Sequence, residues 1–148
     1  MDELRVQGMI VRVDVDTTRR MYRAIQVGDT ETCSCADCRY FAAHREDAYT
    51  REYLQLLESM GIDWRKENET TCGGGFDEWR QYDGNFDFVG TVRVDGDSPH
   101  MPDPRDPSQA FLFGFTEGAG WPWTALRARD LGFAPIASVW FMSRLLSG

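Results

Sequence analysis

Three of the chain's four cysteines fall within six residues, at Cys33, Cys35 and Cys38. So short a segment keeps its sulfurs together in any fold that fixes it. Ser34 has the hydroxyl that caps a helix, and Asp37, three residues on, favours the positive end of a helix dipole. The spacing therefore predicts a helix from about Cys35 to Asp47, with Cys35 and Cys38 on its first exposed turn and Cys33 just outside.

Thiols clustered in this way hold a metal, cycle with a disulfide, or pack as small hydrophobes in a reduced core. Structural zinc needs about four ligands in a tetrahedron, so a fourth must come from elsewhere. His44 lies six residues beyond Cys38, which on a continuous helix means about 600° of rotation and about 9 Å of rise, pointing it away. Cys72 sits before Gly73-Gly74-Gly75 in a segment free to fold back over the helix start, so the expected ligand set is Cys33, Cys35, Cys38 and Cys72. The Cys35/Cys38 pair also has the spacing of a thiol–disulfide couple at a helix N-terminus, where thiol pKa values fall. No aromatic residue directly precedes its first thiol. Zinc, redox couple and packed thiols all stay open at this point.

With 148 residues, nine Phe, five Trp and five Tyr, the chain can fill a core without a staple. The net charge is −8, and Lys66 is the sole lysine, so no basic stripe exists to neutralise phosphates; direct nucleic-acid binding is not expected. The acidic balance suits solubility or a basic protein partner. Met1 to Arg5 has neither the basic start nor the apolar core of a signal peptide. No apolar run reaches the roughly 18 residues of a membrane span, so the expected location is the cytoplasm, where thiols stay reduced.

The remaining elements follow from periodicity. Leu4 to Val15 alternates β-branched residues and reads as one long strand, or one with a bulge near Gly8. Arg20 to Val27 reads as its antiparallel partner after a turn at Asp16-Thr17-Thr18. Tyr49, Tyr53, Leu56, Leu57 and Met60 share a helical face, with Gly61 as terminator. Residues 62–83 look irregular, with room for one short strand. Tyr82-Asp83-Gly84-Asn85-Phe86 carries a turn signal into a strand from Phe86 to Val94, and Pro99, Pro102, Pro104 and Pro107 make residues 95–108 a loop. Phe111, Phe113 and Phe115 mark a strand apolar on both faces, expected at the sheet's centre. Ile136 to Leu146 fits either a strand or a helix. The expected fold is α+β: a mainly antiparallel sheet with an inserted helical hairpin, in a single domain spanning residues 1–148.

The run from Cys33 to Phe41, the segment from Leu57 through Gly61-Ile62-Asp63 to Lys66, and Tyr82 to Gly90 together resemble a pattern shared by uncharacterised bacterial proteins. The resemblance covers roughly residues 30 to 90 and implies a bacterial origin, with no activity attached.

Other constellations carry less. Asp95, Asp97, Asp103 and Asp106 fit no calcium-loop spacing. Gly73 to Gly75 is followed by Asp77 and Glu78 rather than by a phosphate-binding Lys-Ser/Thr. Neither Glu46-Asp47 nor Asp77-Glu78 has the geometry of an acid–base pair. His100 has no recognisable nucleophile motif for company. Trp121 and Trp123 are candidate anchors for a protein partner, because Trp concentrates at interface hot spots. The expected function is a non-catalytic protein-binding domain, either an immunity-like protein neutralising a basic toxin or a regulatory adaptor, with structural zinc. The rival is an enzyme using the Cys33/Cys35/Cys38 cluster for thiol–disulfide or zinc chemistry.

Overall fold

The computed structural model describes residues 1–75, 78–96, 103, 109–118 and 131–146. The element order is β1 (Asp2–Val6), β2 (Met9–Val13), α1 (Val15–Ala24), a 3-10 turn (Asp29–Thr32), α2 (Ala36–Ala43), α3 (Arg45–Ala48), α4 (Arg51–Ser59), β3 (Glu69–Gly75), β4 (Trp79–Val94), β5 (Phe111–Glu117) and β6 (Ile136–Leu146). The strands form one six-stranded antiparallel sheet in the order β1-β2-β4-β6-β5, with β3 paired to the first half of β4. This is the mixed, mainly antiparallel architecture expected from the sequence; its helices fall between β2 and β3.

Several elements differ from expectation. The first alternating stretch is a hairpin rather than one strand: Gln7 and Gly8 both adopt positive φ, 54° and 70°, as a tight hairpin turn demands at its two central positions. The expected second strand at Arg20 to Val27 falls mostly within α1. Asp14 caps that helix by accepting a hydrogen bond from Thr17 N at 3.0 Å, and the buried residues Thr18, Met21 and Tyr22 recur at helical spacing. Helical burial and a strong cap outweigh the short β-branched pattern.

The turn expected at residues 82–86 is also absent, because β4 runs unbroken through it. Gly84 serves close packing instead: a Cβ there would stand 2.5 Å from the Phe141 ring and 2.5 Å from the Glu69 carbonyl oxygen. Gly73 to Gly75, expected in an irregular turn, closes β3, whose register shifts between Cys72 and Gly75. The Phe111 strand lies at the edge of the sheet. Its second apolar face is covered by a neighbour's side chain, since Trp140 of β6 lies across Gly114. The ambiguous tail is β6, a strand paired on both sides, to β4 and β5. The second helix and its terminator are as expected: α4 is capped by Thr50, and Gly61 has φ +81°.

The sheet curls until its ends approach, and Gln7 Nε2 donates to the Phe113 carbonyl at 2.9 Å. Inside the curl, Val11, Phe86, Phe88, Val139, Phe141 and Phe115 meet Met21 and Tyr22 of α1, Phe41 of α2 and Tyr53 and Leu57 of α4 in one core. The phenols of Tyr49 and Tyr53 are buried there, and desolvation pushes both pKa values well up. Among the described residues, no helix is long and apolar enough to cross a membrane.

Candidate metal centre

The thiol cluster forms where the 3-10 turn meets α2. Cys33 closes the turn in extended conformation, and Cys35, also extended, is the N-cap of α2. The capping atom is thus Cys35 Sγ, accepting from Cys38 N at 3.4 Å, rather than the Ser34 hydroxyl expected from the sequence. The helix is also shorter than expected: α2 stops at Ala43, and α3 begins at Arg45.

This geometry brings the sulfurs of Cys33, Cys35 and Cys38 within 4.8 Å of one another. Around a tetrahedral zinc at about 2.3 Å from each sulfur, thiolates stand about 3.8 Å apart, so the three lie near ligand spacing. None is in a disulfide; Cys33 and Cys35 are exposed and Cys38 is half-buried.

Cys35 and Cys38 are electrostatically unlike. Hydrogen bonding, first from the Cys38 backbone N–H and then from the Cys33 and Cys38 thiols, lowers the Cys35 pKa. Burial, followed by hydrogen bonding and repulsion from the other two sulfurs, raises that of Cys38. Cys35 is therefore the readier thiolate of the pair.

A buried ionic network holds the turn that presents Cys33. Glu67 Oε1 accepts from Thr30 N at 2.9 Å, from Thr30 Oγ1 at 2.5 Å and from Arg45 at 2.9 Å, while its Oε2 accepts from Arg45 Nε at 3.1 Å. Arg45 also donates to Glu31 Oε1 at 2.6 Å. On the other flank, Arg39 donates twice to the Ser34 carbonyl, at 2.9 and 2.7 Å. Cys33 and Cys35 face water, but the backbone that carries them is fixed from both sides.

Of the expected ligands, Cys72 lies outside the mutually close set. It sits on β3 directly opposite Tyr82, half-buried against the margin of the core. Tyr82 in turn donates its hydroxyl to the Asp37 carbonyl in the first turn of α2, at 2.8 Å. Directly paired residues share a sheet face, so Cys72 belongs to the face on which α2 rests. His44 is at the opposite end of α2, stacked on Tyr40 at 4.1 Å between ring centroids, with Nδ1 2.8 Å from the Tyr40 carbonyl. Trp121, Trp123, His100, Asp77, Asp97 and Asp106 lie outside the described residues; Asp95 is paired with Arg5 at 2.9 Å.

A second polar concentration escaped the sequence reading. Asn85, Asp87 and Ser138 are fully buried on the sheet face that points away from Phe86, Phe88 and Phe141. Burial raises the Asp87 pKa to about 6, against the pull of the Ser138 hydrogen bond. The signal was present as Asn85 and Asp87 alternating with Phe86 and Phe88, but the expected turn at residues 82–86 cut that alternation at Phe86. No family model, curated protein or solved structure matches this chain.

Proposed function

We propose that this chain is a metal-stapled, non-catalytic protein-binding domain, in which Cys33, Cys35 and Cys38 hold zinc and Cys72 supplies the fourth ligand. The observation that carries the reading is the mutual approach of the three sulfurs within 4.8 Å. A closed four-thiolate site is structural, because no coordination position is left for water or substrate. The Tyr82–Asp37 hydrogen bond supports Cys72 as the remaining ligand, since it ties the strand beside Cys72 to the helix turn bearing Cys38. The net charge of −8 supports a basic protein as the partner.

Elemental mass spectrometry of protein purified under reducing conditions tests the metal, paired with a thiol count before and after chelation. The expected result is about one zinc per chain, with thiols unmasked by chelator and metal lost on Cys72→Ser. Metal-free protein with freely reactive thiols overturns it. The partner is tested separately, by retention of a basic protein encoded beside this chain at low salt and its release at high salt. Absence of any such retention removes the interaction reading.

A second reading rests on the asymmetry between Cys35 and Cys38. An exposed thiol of lowered pKa next to a half-buried one of raised pKa suits a thiol–disulfide couple. In that case the protein forms a Cys35–Cys38 disulfide with a measurable reduction potential, and replacing Cys33 or Cys72 leaves exchange intact.

A further inference from the structure

The buried polar face of the sheet is built across four strands. Strand register sets Glu69, Asn85, Trp140 and Gly114 side by side in one row, and Asp87, Ser138 and Thr116 in the next. Asp87 Oδ1 is well supplied, accepting from Ser138 Oγ at 2.5 Å and from Asn85 Nδ2 at 3.2 Å. Asp87 Oδ2, Asn85 Oδ1 and the Thr116 hydroxyl are buried and, among the described residues, have no hydrogen-bond partner. Native proteins rarely leave buried polar atoms unsatisfied, and each exception calls for an occupant or a function. Two of these three atoms can only accept, and one belongs to a carboxylate, so the group that completes the face must bring N–H donors and a positive charge, while the Thr116 hydroxyl can turn to either role.

Neither row contains a lysine or arginine. Trp140 stands opposite Asn85, its indole lying so close over Gly114 that a Cβ there would be 2.4 Å from the ring. Trp140 and Thr116 are half-buried, so the rim of the polar rows reaches the surface beside an aromatic face. A calcium ion takes about six to eight oxygens, more than Asp87, Asn85 and Glu69 place together. An ammonium group needs only acceptors for its three N–H bonds, and it gains from an adjacent aromatic ring.

We propose that this face binds a ligand bearing a protonated primary amine, with the ammonium group donating to Asp87 Oδ2 and Asn85 Oδ1 beside Trp140. The site is independent of the thiol cluster and of any metal held there.

The test is titration of the full-length, isotope-labelled protein with n-butylammonium, followed by NMR at the Asn85 side-chain amide, the Trp140 indole N–H and the Ser138 amide. The expected result is a saturable shift at these three groups with Kd about 1 mM or tighter. Tetramethylammonium, which has no N–H to donate, should produce no such shift at equal ionic strength. Asp87→Asn should weaken binding at least about tenfold; if that variant does not fold, the wild-type shifts decide alone. Absence of saturable shifts, an equal response to tetramethylammonium, or saturation by calcium alone each overturns the proposal.

Discussion

The thiol cluster and the buried row around Asp87 solve opposite problems. At the cluster, two of three reactive side chains are exposed while the backbone behind them is locked by buried groups. At the row, the reactive side chains are themselves buried, held by strand register, and two of their oxygens lack partners among the described residues. Soft sulfur ligands lose little by facing water, so precision there is a matter of anchoring the chain. A carboxylate inside a sheet loses its hydration, so its environment decides its charge.

The largest expected effect tests whether the exposed cluster truly depends on buried anchors. Glu67→Ala leaves Arg45 buried without its main counter-charge, which typically costs about 3–5 kcal/mol. Chemical denaturation should show that loss, and metal affinity should fall with it because the turn bearing Cys33 is no longer pinned. If stability drops while metal affinity is unchanged, the anchor and the thiols are separate devices.

Next in size is the pH response of Asp87. Its folded pKa is raised from 3.8 to about 6, so between those values the folded state holds a proton that the unfolded state has released. The unfolded state therefore binds fewer protons, and stability falls as pH rises through that window. Below about pH 4 the group has no such cost; above about pH 6 the cost is fully present, at about 3 kcal/mol. Asp87→Asn should gain on the wild type by that order between pH 4 and 7, read as the difference between two denaturation series. A flat difference would mean that Asp87 is solvated or already paired with a cation.

Metal removal should act locally. With Cys33, Cys35 and Cys38 outside the core cluster, chelation is expected to abolish hydrogen-exchange protection around the start of α2 while β4 and β6 keep theirs. Loss of protection in β4 and β6 would show that the staple supports the whole fold. The smallest effect concerns chemistry rather than stability: at neutral pH, iodoacetamide should modify Cys35 about tenfold faster than Cys38 in metal-free protein, following thiolate fraction and exposure. Equal rates would erase the asymmetry on which the redox reading rests.

The match between sequence and structure was uneven for physical reasons. The clustering of Cys33, Cys35 and Cys38 was legible because their spacing is local, and α4 was legible because its cap, apolar stripe and terminator lie within a dozen or so residues. The α1 misreading arose because Val, Thr and Ile near its ends favour strands, whereas Asp14 and the buried spacing of Thr18, Met21 and Tyr22 decided for helix. Gly84 looked like a turn because the Phe141 ring that requires it lies far away in sequence.

By itself, then, the sequence determined an α+β chain with a mainly antiparallel sheet, a helix ending at Gly61, and three thiols gathered at a helix start. Tertiary structure alone decided that β6 is an interior strand and β5 an edge, that Cys72 lies on the sheet face beneath α2, and that Asn85 and Asp87 are buried rather than solvated. Local spacing fixes which atoms can meet within a turn or two. Which strand neighbours which, and therefore which face loses its water, depends on contacts between residues as distant as Asp87 and Ser138, for which no short stretch of sequence carries a signal.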